Sequence, residues 1–146
     1  MIRVVFDTVV FVRGLINPQS VWGRLIFDYF GSYELCLSPP VLQEILEVLE
    51  RPAIKRKYRL MEGRGIDQVL AQFARAPVVA IGEIPPVSRD IQDDKFLTTE
   101  VSASAKYLVS EDEDLLTLRT WNGIRVVSAA TFTRVLVEHD DIASDR

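Results

Sequence analysis

The sequence predicts an α/β domain in which helices cover both faces of a parallel sheet. Short runs of mainly apolar residues recur along the chain, at 3–6, 34–37, 78–81, 107–109 and 124–127. Runs of this kind are typical of central strands that are covered on both faces. Segments with the apolar spacing of helices separate these runs, and this alternation favours parallel pairing.

Turn and capping residues place the elements in order. Asp7 ends the first strand, Asn17-Pro18 marks a turn, and a helix follows Ser20. Ser38-Pro39-Pro40 opens the next helix, which Pro52 ends or kinks. Later helices are expected at 55–59, 66–75, 93–104, 113–118 and 129–137, with a proline-containing loop at 82–90.

Length and composition indicate a single domain in the cytoplasm. The 146 residues suffice for one core, which we place at 1–137 with a polar tail at 138–146. No run reaches the roughly 18 apolar residues of a membrane span. The apolar N-terminal stretch is interrupted by Asp7 and Arg13, which favours a buried strand over a signal peptide. Cys36 and His139 are the only residues of their types, which disfavours disulfides, cysteine zinc sites and histidine-dependent nucleophiles.

Charge is distributed unevenly along a chain whose net charge is −4. Basic residues concentrate in segment 51–64, where Glu62 is the only acid, whereas acids concentrate at 90–94 and 111–114. This separation suits a protein that binds phosphates at one place and metal ions at another.

Acids from separate segments are expected to meet at one edge of the sheet. Asp7 ends the first strand, Asp112 follows strand 107–109, and Glu44 lies early in the helix after the second strand. Asp93 and Asp94 open the helix that leads into strand 107–109. Ligands of open α/β sheets bind beyond the carboxyl ends of the strands. Crowded carboxylates need protons or cations, and Mg²⁺ or Mn²⁺ suits such an all-oxygen site and would support phosphodiester cleavage.

Each acid also has an ordinary structural interpretation. Asp7 and Asp112 fit turns or helix caps, and Glu44 fits an exposed helix face. Asp93 and Asp94 favour a helix start through the helix dipole. The hypothesis of a site therefore rests on the joint placement of these acids.

Four short motifs occur in an order that resembles a known family. They are Asp7-Thr8, Glu44 in a Ser-Pro-initiated helix, the run Asp-Asp-Lys-Phe-Leu at 93–97, and the run Ser-Glu-Asp-Glu-Asp-Leu-Leu at 110–116. From about residue 2 to 132 the chain resembles the PIN-domain family, and within it the toxins of toxin–antitoxin systems. The resemblance implies a three-layer α/β/α domain with a parallel five-stranded sheet. It also implies a Mg²⁺- or Mn²⁺-dependent ribonuclease.

The resemblance also assigns roles to the matching positions. The principal metal-binding acids are Asp7, Glu44, Asp93 and Asp112, with Asp94 as a rival to Asp93. Asp114 is an accessory acid, and the hydroxyls that orient the site are Thr8 and Ser110.

Three positions depart from the usual pattern of the family. Val9 replaces an asparagine, Arg13 stands where a small residue is common, and Glu111 where glycine is common. Loss of the asparagine removes a polar group near the metal site, so it bears on rate and metal affinity more than on the fold.

The expected partners are an RNA substrate and a small antitoxin protein. The residues predicted to bind RNA phosphates are Arg51, Lys55, Arg56, Lys57 and Arg59. A solvated helix face and a docking site for an acidic antitoxin segment are the alternatives for this segment. Trp22 and Trp121 fit base stacking, core packing or a dimer interface. A homodimer stays open because two-fold dimers are common.

Two functions follow from the sequence. The first is a metal-dependent endoribonuclease that acts as a toxin. The second is a PIN-like domain, weakened by Val9, that binds nucleic acid or a protein without cutting. A haloacid-dehalogenase-like phosphatase is disfavoured because it needs a second aspartate at position 9.

Overall fold

The computed structural model describes residues 1–60, 64–78 and 94–144. Its sheet contains five strands: β1 (Ile2–Phe6), β2 (Tyr33–Leu35), β3 (Tyr107–Val109), β4 (Thr120–Trp121) and β5 (Ile124–Val127). Their order across the sheet is β2-β1-β3-β5-β4. All neighbours pair in parallel except β4, which is antiparallel to β5. The predicted α/β class with a five-stranded sheet is confirmed, and the antiparallel β4 makes the sheet mostly parallel where a parallel one was predicted.

The fifth strand differs from the one that the sequence predicts. In the predicted run 78–81, Val78 forms a parallel bridge with Leu37, and 79–81 lie outside the described residues. The fifth strand is β4, joined to β5 by a hairpin in which Asn122 and Gly123 have φ values of 51° and 79°. Positive φ at both turn residues is typical of two-residue hairpins and explains the Asn-Gly pair. The strand itself is too short to show a periodic pattern.

Helices fill the connections between the strands. They are α1 (Thr8–Ile16), α2 (Val21–Phe27), α3 (Pro39–Leu49), α4 (Pro52–Arg59), α5 (Arg64–Arg75), α6 (Asp94–Ala103), α7 (Glu113–Leu116) and α8 (Ala129–Ser144), with a 3₁₀ turn at Phe30–Ser32. None of the helices in the described ranges is long and apolar enough to cross a membrane.

Two helices depart from the sequence-based prediction. The sequence pattern does not indicate α1, because its run of valine and phenylalanine also fits a strand. Asp7 nevertheless caps this helix by accepting a hydrogen bond from the backbone N–H of Val9. The last helix, α8, continues to Ser144, whereas we predicted an end at 137. Extension of an existing helix adds one hydrogen bond per residue, so polar residues readily continue it.

An aromatic cluster fixes β1 in the centre of the domain. The Phe6 ring lies 5.7 Å from the ring of Phe11 on α1, 5.1 Å from Tyr33 on β2 and 6.1 Å from Phe132 on α8, measured between centroids. All four side chains are buried. Because Asp7 is the next residue after Phe6, this packing also fixes the position of Asp7.

The connection between α1 and α2 requires a glycine at position 23. Ser20 caps α2, and its Oγ accepts a hydrogen bond of 3.1 Å from the backbone N–H of Gly23. A Cβ at this position would overlap the backbone of Pro18. Position 31 is different, because a Cβ there would meet nothing within 4 Å.

We expect Gly23→Ala to lower the free energy of unfolding by about 1–3 kcal/mol, because the Pro18 backbone must move to make room. Urea denaturation measures this loss. Gly31→Ala is the matched control and should change stability by less than about 0.5 kcal/mol. Equal effects of the two substitutions would contradict the close packing at Gly23.

Candidate active site

Asp7 lies at the carboxyl end of the central strand. Its backbone N–H donates to the carbonyl of Val109 on β3 at 2.9 Å. Its Oδ1 accepts a long hydrogen bond of 3.4 Å from the backbone N–H of Val9 at the start of α1. The residue is only 5% exposed. The ordinary role as a helix cap and the predicted place at the sheet edge therefore occur together.

Ser110 joins two acids through one buried hydroxyl. It follows β3 directly, and its Oγ donates to Asp7 Oδ2 at 2.8 Å. The same Oγ accepts from the backbone N–H of Asp112 at 2.9 Å. Ser110 is completely buried. The hydroxyl therefore fixes the Asp7 carboxylate and the backbone of Asp112 relative to each other.

Asp112 caps the short helix α7 with one carboxylate oxygen. Its Oδ1 accepts from the backbone N–H groups of Asp114 and Leu115, at 2.8 and 3.3 Å. Its Oδ2 accepts no hydrogen bond in the part of the chain that the structure describes. Asp114 lies in the first turn of α7 beside this cap.

Glu44 lies on α3 and is paired from two sides. Thr8 Oγ1, at the start of α1, donates a hydrogen bond to Glu44 Oε2. Lys95 Nζ, on α6, lies 2.5 Å from Glu44 Oε1. The side chains of Lys95 and Glu44 are 14% and 28% exposed. Lys95 belongs to the predicted 93–97 motif, but its role was missed at the level of sequence, because only the packing of α6 on α3 reveals its partner.

Asp94 is the first residue of α6 and is completely buried. The helix packs against β1, β3 and α3, which carry or precede the other acids. Asp93 lies outside the described residues. The choice between these two acids therefore stays a prediction.

The carboxylates of Glu44 and Asp112 lie close enough to Asp7 to affect its ionisation. The pKa of Asp7 is raised above its ordinary value of 3.8, mainly because burial disfavours its charged form. The hydrogen bonds from Ser110 and Val9 lower this pKa, whereas the negative charges of Glu44 and Asp112 raise it further. A cation placed among the carboxylates of Asp7, Glu44 and Asp112 would favour the ionised form of Asp7.

The donor chemistry fits a hard divalent cation. Asp7 Oδ1 has only one long hydrogen bond, and Asp112 Oδ2 has none in the described part of the chain. Magnesium and manganese prefer such oxygens, and Mg²⁺ often takes only one or two protein carboxylates and keeps waters. Within 1–60, 64–78 and 94–144, no group of three or more acidic, histidine or cysteine side chains is arranged to hold a metal ion. Glu44 in particular is already paired with Lys95.

The predicted phosphate-binding residues lie on and before α4. Arg56, Lys57 and Arg59 are exposed, and so is Arg51 at the helix start. Lys55 pairs with Glu50 at 3.1 Å. Tyr58 is buried and donates to the carbonyl of Leu49 at 2.9 Å, which anchors α4 to the end of α3. An open groove of about 530 Å³ is lined by Glu50, Pro52, Lys55, Arg56, Arg59 and Leu60.

The sequence profile of the PIN domain matches residues 3–114, a range that includes the candidate acids. The chain belongs to the PIN-domain family. PIN domains are generally nucleases and generally use divalent metal ions.

Two further comparisons concern the sequence and the fold. The chain is similar to an uncharacterized protein of Methanocaldococcus jannaschii, with 34% identity over 127 residues that cover 83% of this chain and 77% of the relative. The structure of this chain is similar to the crystal structure of VapBC2 from Rickettsia felis bound to a DNA fragment from their promoter, with a TM-score of 0.53. That match covers 86% of this PIN domain and 97% of the other chain at 10% identity, so the likeness concerns the fold.

We expect Asp7→Asn to raise the Tm of the metal-free PIN domain near pH 7. The folded state binds the Asp7 proton more tightly than the unfolded chain does, because the pKa is raised above 3.8. The protonated carboxyl therefore favours folding most strongly below pH 3.8, and this contribution is lost as the pH rises through the folded-state pKa. The asparagine Oδ1 keeps the cap by accepting from the backbone N–H of Val9, and its Nδ2 takes the place of Oδ2 and donates to Ser110 Oγ, so the charge is removed while a contact on each side is kept.

Thermal unfolding between pH 3 and 8 in a chelator measures this effect. The Tm difference between Asp7→Asn and the parent protein should shrink as the pH falls. Glu113→Gln, which removes an exposed acid from α7, is the control and should show no comparable gain. A lower Tm for Asp7→Asn at pH 7 would contradict the raised pKa.

Proposed function

We propose that this PIN domain is a metal-dependent endoribonuclease of the cytoplasm and the toxin of a toxin–antitoxin pair. The observation that carries the proposal is the buried Ser110 hydroxyl, which holds Asp7 and the backbone of Asp112 together at the carboxyl edge of the sheet. Family membership supports a nuclease, and the chemistry of the donors supports a divalent cation.

The acids and hydroxyls would divide the work at this edge. Asp7 and Asp112 would hold Mg²⁺ or Mn²⁺ through their available oxygens, with Asp93 or Asp94 as a further acid and Asp114 as an accessory one. A bound divalent cation supplies an activated water and neutralises the charge of the phosphate. Thr8 and Ser110 orient the carboxylates of Glu44 and Asp7.

The basic helix α4 would bind the RNA backbone. It packs against α1 and α3, the helices that begin beside Asp7 and carry Glu44. Its exposed cations would offset the repulsion between RNA and a protein of net charge −4. Lys55 would contribute less than Arg56, because its charge is shared with Glu50.

The antitoxin part of the proposal rests on the structural neighbour. That neighbour is VapBC2, described as bound to a promoter DNA fragment. By analogy we propose a small antitoxin partner for this chain, and a homodimer stays a proposal that size measurements would test.

Binding without cutting is the second candidate function. Two observations favour it: Val9 stands in place of the usual asparagine, and Lys95 already neutralises Glu44. A site whose second acid is held by a lysine has one ligand fewer to offer a cation.

We expect the purified protein to cut a mixed-sequence single-stranded RNA only when Mn²⁺ is present. Asp7→Asn and Asp112→Asn should each lower the rate by about 10²–10³-fold, because each removes a charge that organises the reacting centre. Gel analysis of end-labelled RNA measures the rate.

Glu113→Gln is the matched control and should cut like the parent, since Glu113 is an exposed residue of α7. Equal cutting by Asp7→Asn would mean a contaminant or a wrongly assigned site. Failure of every folded variant to cut would favour the binding-only function.

We expect the double substitution Arg56→Gln and Arg59→Gln to weaken RNA binding in an Asp7→Asn background, which prevents cleavage. The slope of log affinity against log salt should become shallower by about 0.7 for each phosphate that the variant no longer neutralises. Fluorescence anisotropy at several salt concentrations measures it. Arg134→Gln on α8 is the control, and an unchanged slope in the double variant would remove α4 from the RNA site.

A further inference from the structure

Arg13 is an exposed cation that is held in place. It lies on α1, and its guanidinium carbon is 4.8 Å from the centroid of the Trp22 ring. Trp22 is partly buried and packs against the core. Stacking on an indole restrains an arginine while its N–H groups still point to solvent.

Trp22 is itself tied to the acidic segment. Its Nε1 donates to Glu111 Oε1 at 3.1 Å, and the same oxygen accepts from the backbone N–H of Ala129 at 2.9 Å. Glu111 stands between Ser110 and Asp112, so the indole reaches the segment that carries the acids. Arg13 and Glu111, two of the three departures from the usual PIN pattern, thus contact one ring.

The place of Arg13 suits a strand that passes over the acids. It lies six residues after Asp7, a rise of about 9 Å along α1. Glu111, which accepts the hydrogen bond from Trp22 Nε1, adjoins Asp112. A nucleic acid strand whose cleaved phosphate lies at Asp7 and Asp112 would therefore bring a neighbouring phosphate toward Arg13.

The donors of Arg13 remain available for such a phosphate. Arg13 forms no salt bridge with any carboxylate in the described part of the chain, whereas Lys55 and Lys95 are both paired. A planar guanidinium matches the geometry of a phosphate and binds it through two parallel hydrogen bonds. Because Trp22 already restrains this side chain, Arg13 loses less conformational entropy when it binds a phosphate.

We propose that Arg13 binds a phosphate of the RNA strand next to the phosphate that is cleaved, and that Trp22 and Glu111 position it. This inference rests on the proposed ribonuclease function. RNA is favoured over an acidic protein segment because a strand held at the acids must have its charge balanced close by.

We expect Arg13→Gln, in the Asp7→Asn background, to weaken binding of a fluorescein-labelled single-stranded RNA roughly 10-fold at 0.15 M salt. The salt slope should become shallower by about 0.7, the value for a single neutralised phosphate. Arg125→Gln is a closely matched control: its guanidinium also lies over a ring, 5.6 Å from the centroid of Tyr107. Arg125 lies near the amino ends of the strands, opposite the acidic edge, and its loss should leave binding unchanged.

Trp22 provides a second readout that a purely structural role would not move. In a Trp121→Phe background, Trp22 is the only tryptophan, and RNA should change its emission when Arg13 is present but not in Arg13→Gln. Glu111→Gly should weaken RNA binding nearly as much as Arg13→Gln, whereas Glu111→Gln keeps the accepting oxygen and should bind normally.

The outcomes separate this inference from the proposed function. Equal RNA affinity and salt slope for Arg13→Gln and Arg125→Gln would overturn it and leave an acidic protein segment as the ligand for Arg13. Normal binding by Glu111→Gly would overturn the positioning role. Weaker binding by Arg13→Gln, together with no cleavage by the parent protein, would support the phosphate contact and reject the nuclease.

Discussion

The site depends on a single buried hydroxyl between two strand ends. Ser110 can reach both Asp7 and Asp112 only because β1 and β3 pair in parallel with Phe6 opposite Val109, so that the two strands end level. A slip of one residue would turn the Ser110 side chain to the other face of the sheet and separate it from Asp7. The aromatic packing around Phe6 holds β1 and thereby preserves this register. The positions of the acids at the sheet edge therefore depend on the packing of the hydrophobic core.

The parts of the site that follow from strand ends could be predicted from the sequence. Asp7 and Ser110 come directly after buried runs and Asp112 comes two residues after Ser110, and parallel strands place such residues at one edge. Glu44 is harder to predict, because a helix position alone does not distinguish an exposed glutamate from one that faces a site. Its contacts with Thr8 and Lys95 depend on how α1, α3 and α6 pack together. Asp93 begins the predicted 93–97 motif but lies outside the described residues.

The features that the sequence did not reveal depend on contacts between distant residues or on very short elements. Trp22 and Glu111 are 89 positions apart, and nothing in the local pattern around either one indicates the other. β4 has only two residues, which are too few to show the alternating pattern of a strand. The Asn-Gly turn is the only local signal of its pairing with β5. In α1 the local preference favours a strand. The helix forms because Asp7 caps its start and because α2 packs closely against it at Gly14. Prediction therefore failed where tertiary packing overrides local preference.

Charge is balanced on one side of the site and left unbalanced on the other. Lys95 neutralises Glu44, whereas Asp7 and Asp112 have no cation paired with them in the described part of the chain. Burial of Asp7 beside two other carboxylates opposes ionisation, and a mobile cation would relieve that opposition where no lysine does. Any ion that binds the folded state alone also stabilises it, and the more so the higher its concentration. The unfavourable burial of Asp7 is thus the physical reason to expect that cation binding and stability are coupled in this PIN domain. The fixed lysine limits that coupling to the Asp7 and Asp112 side.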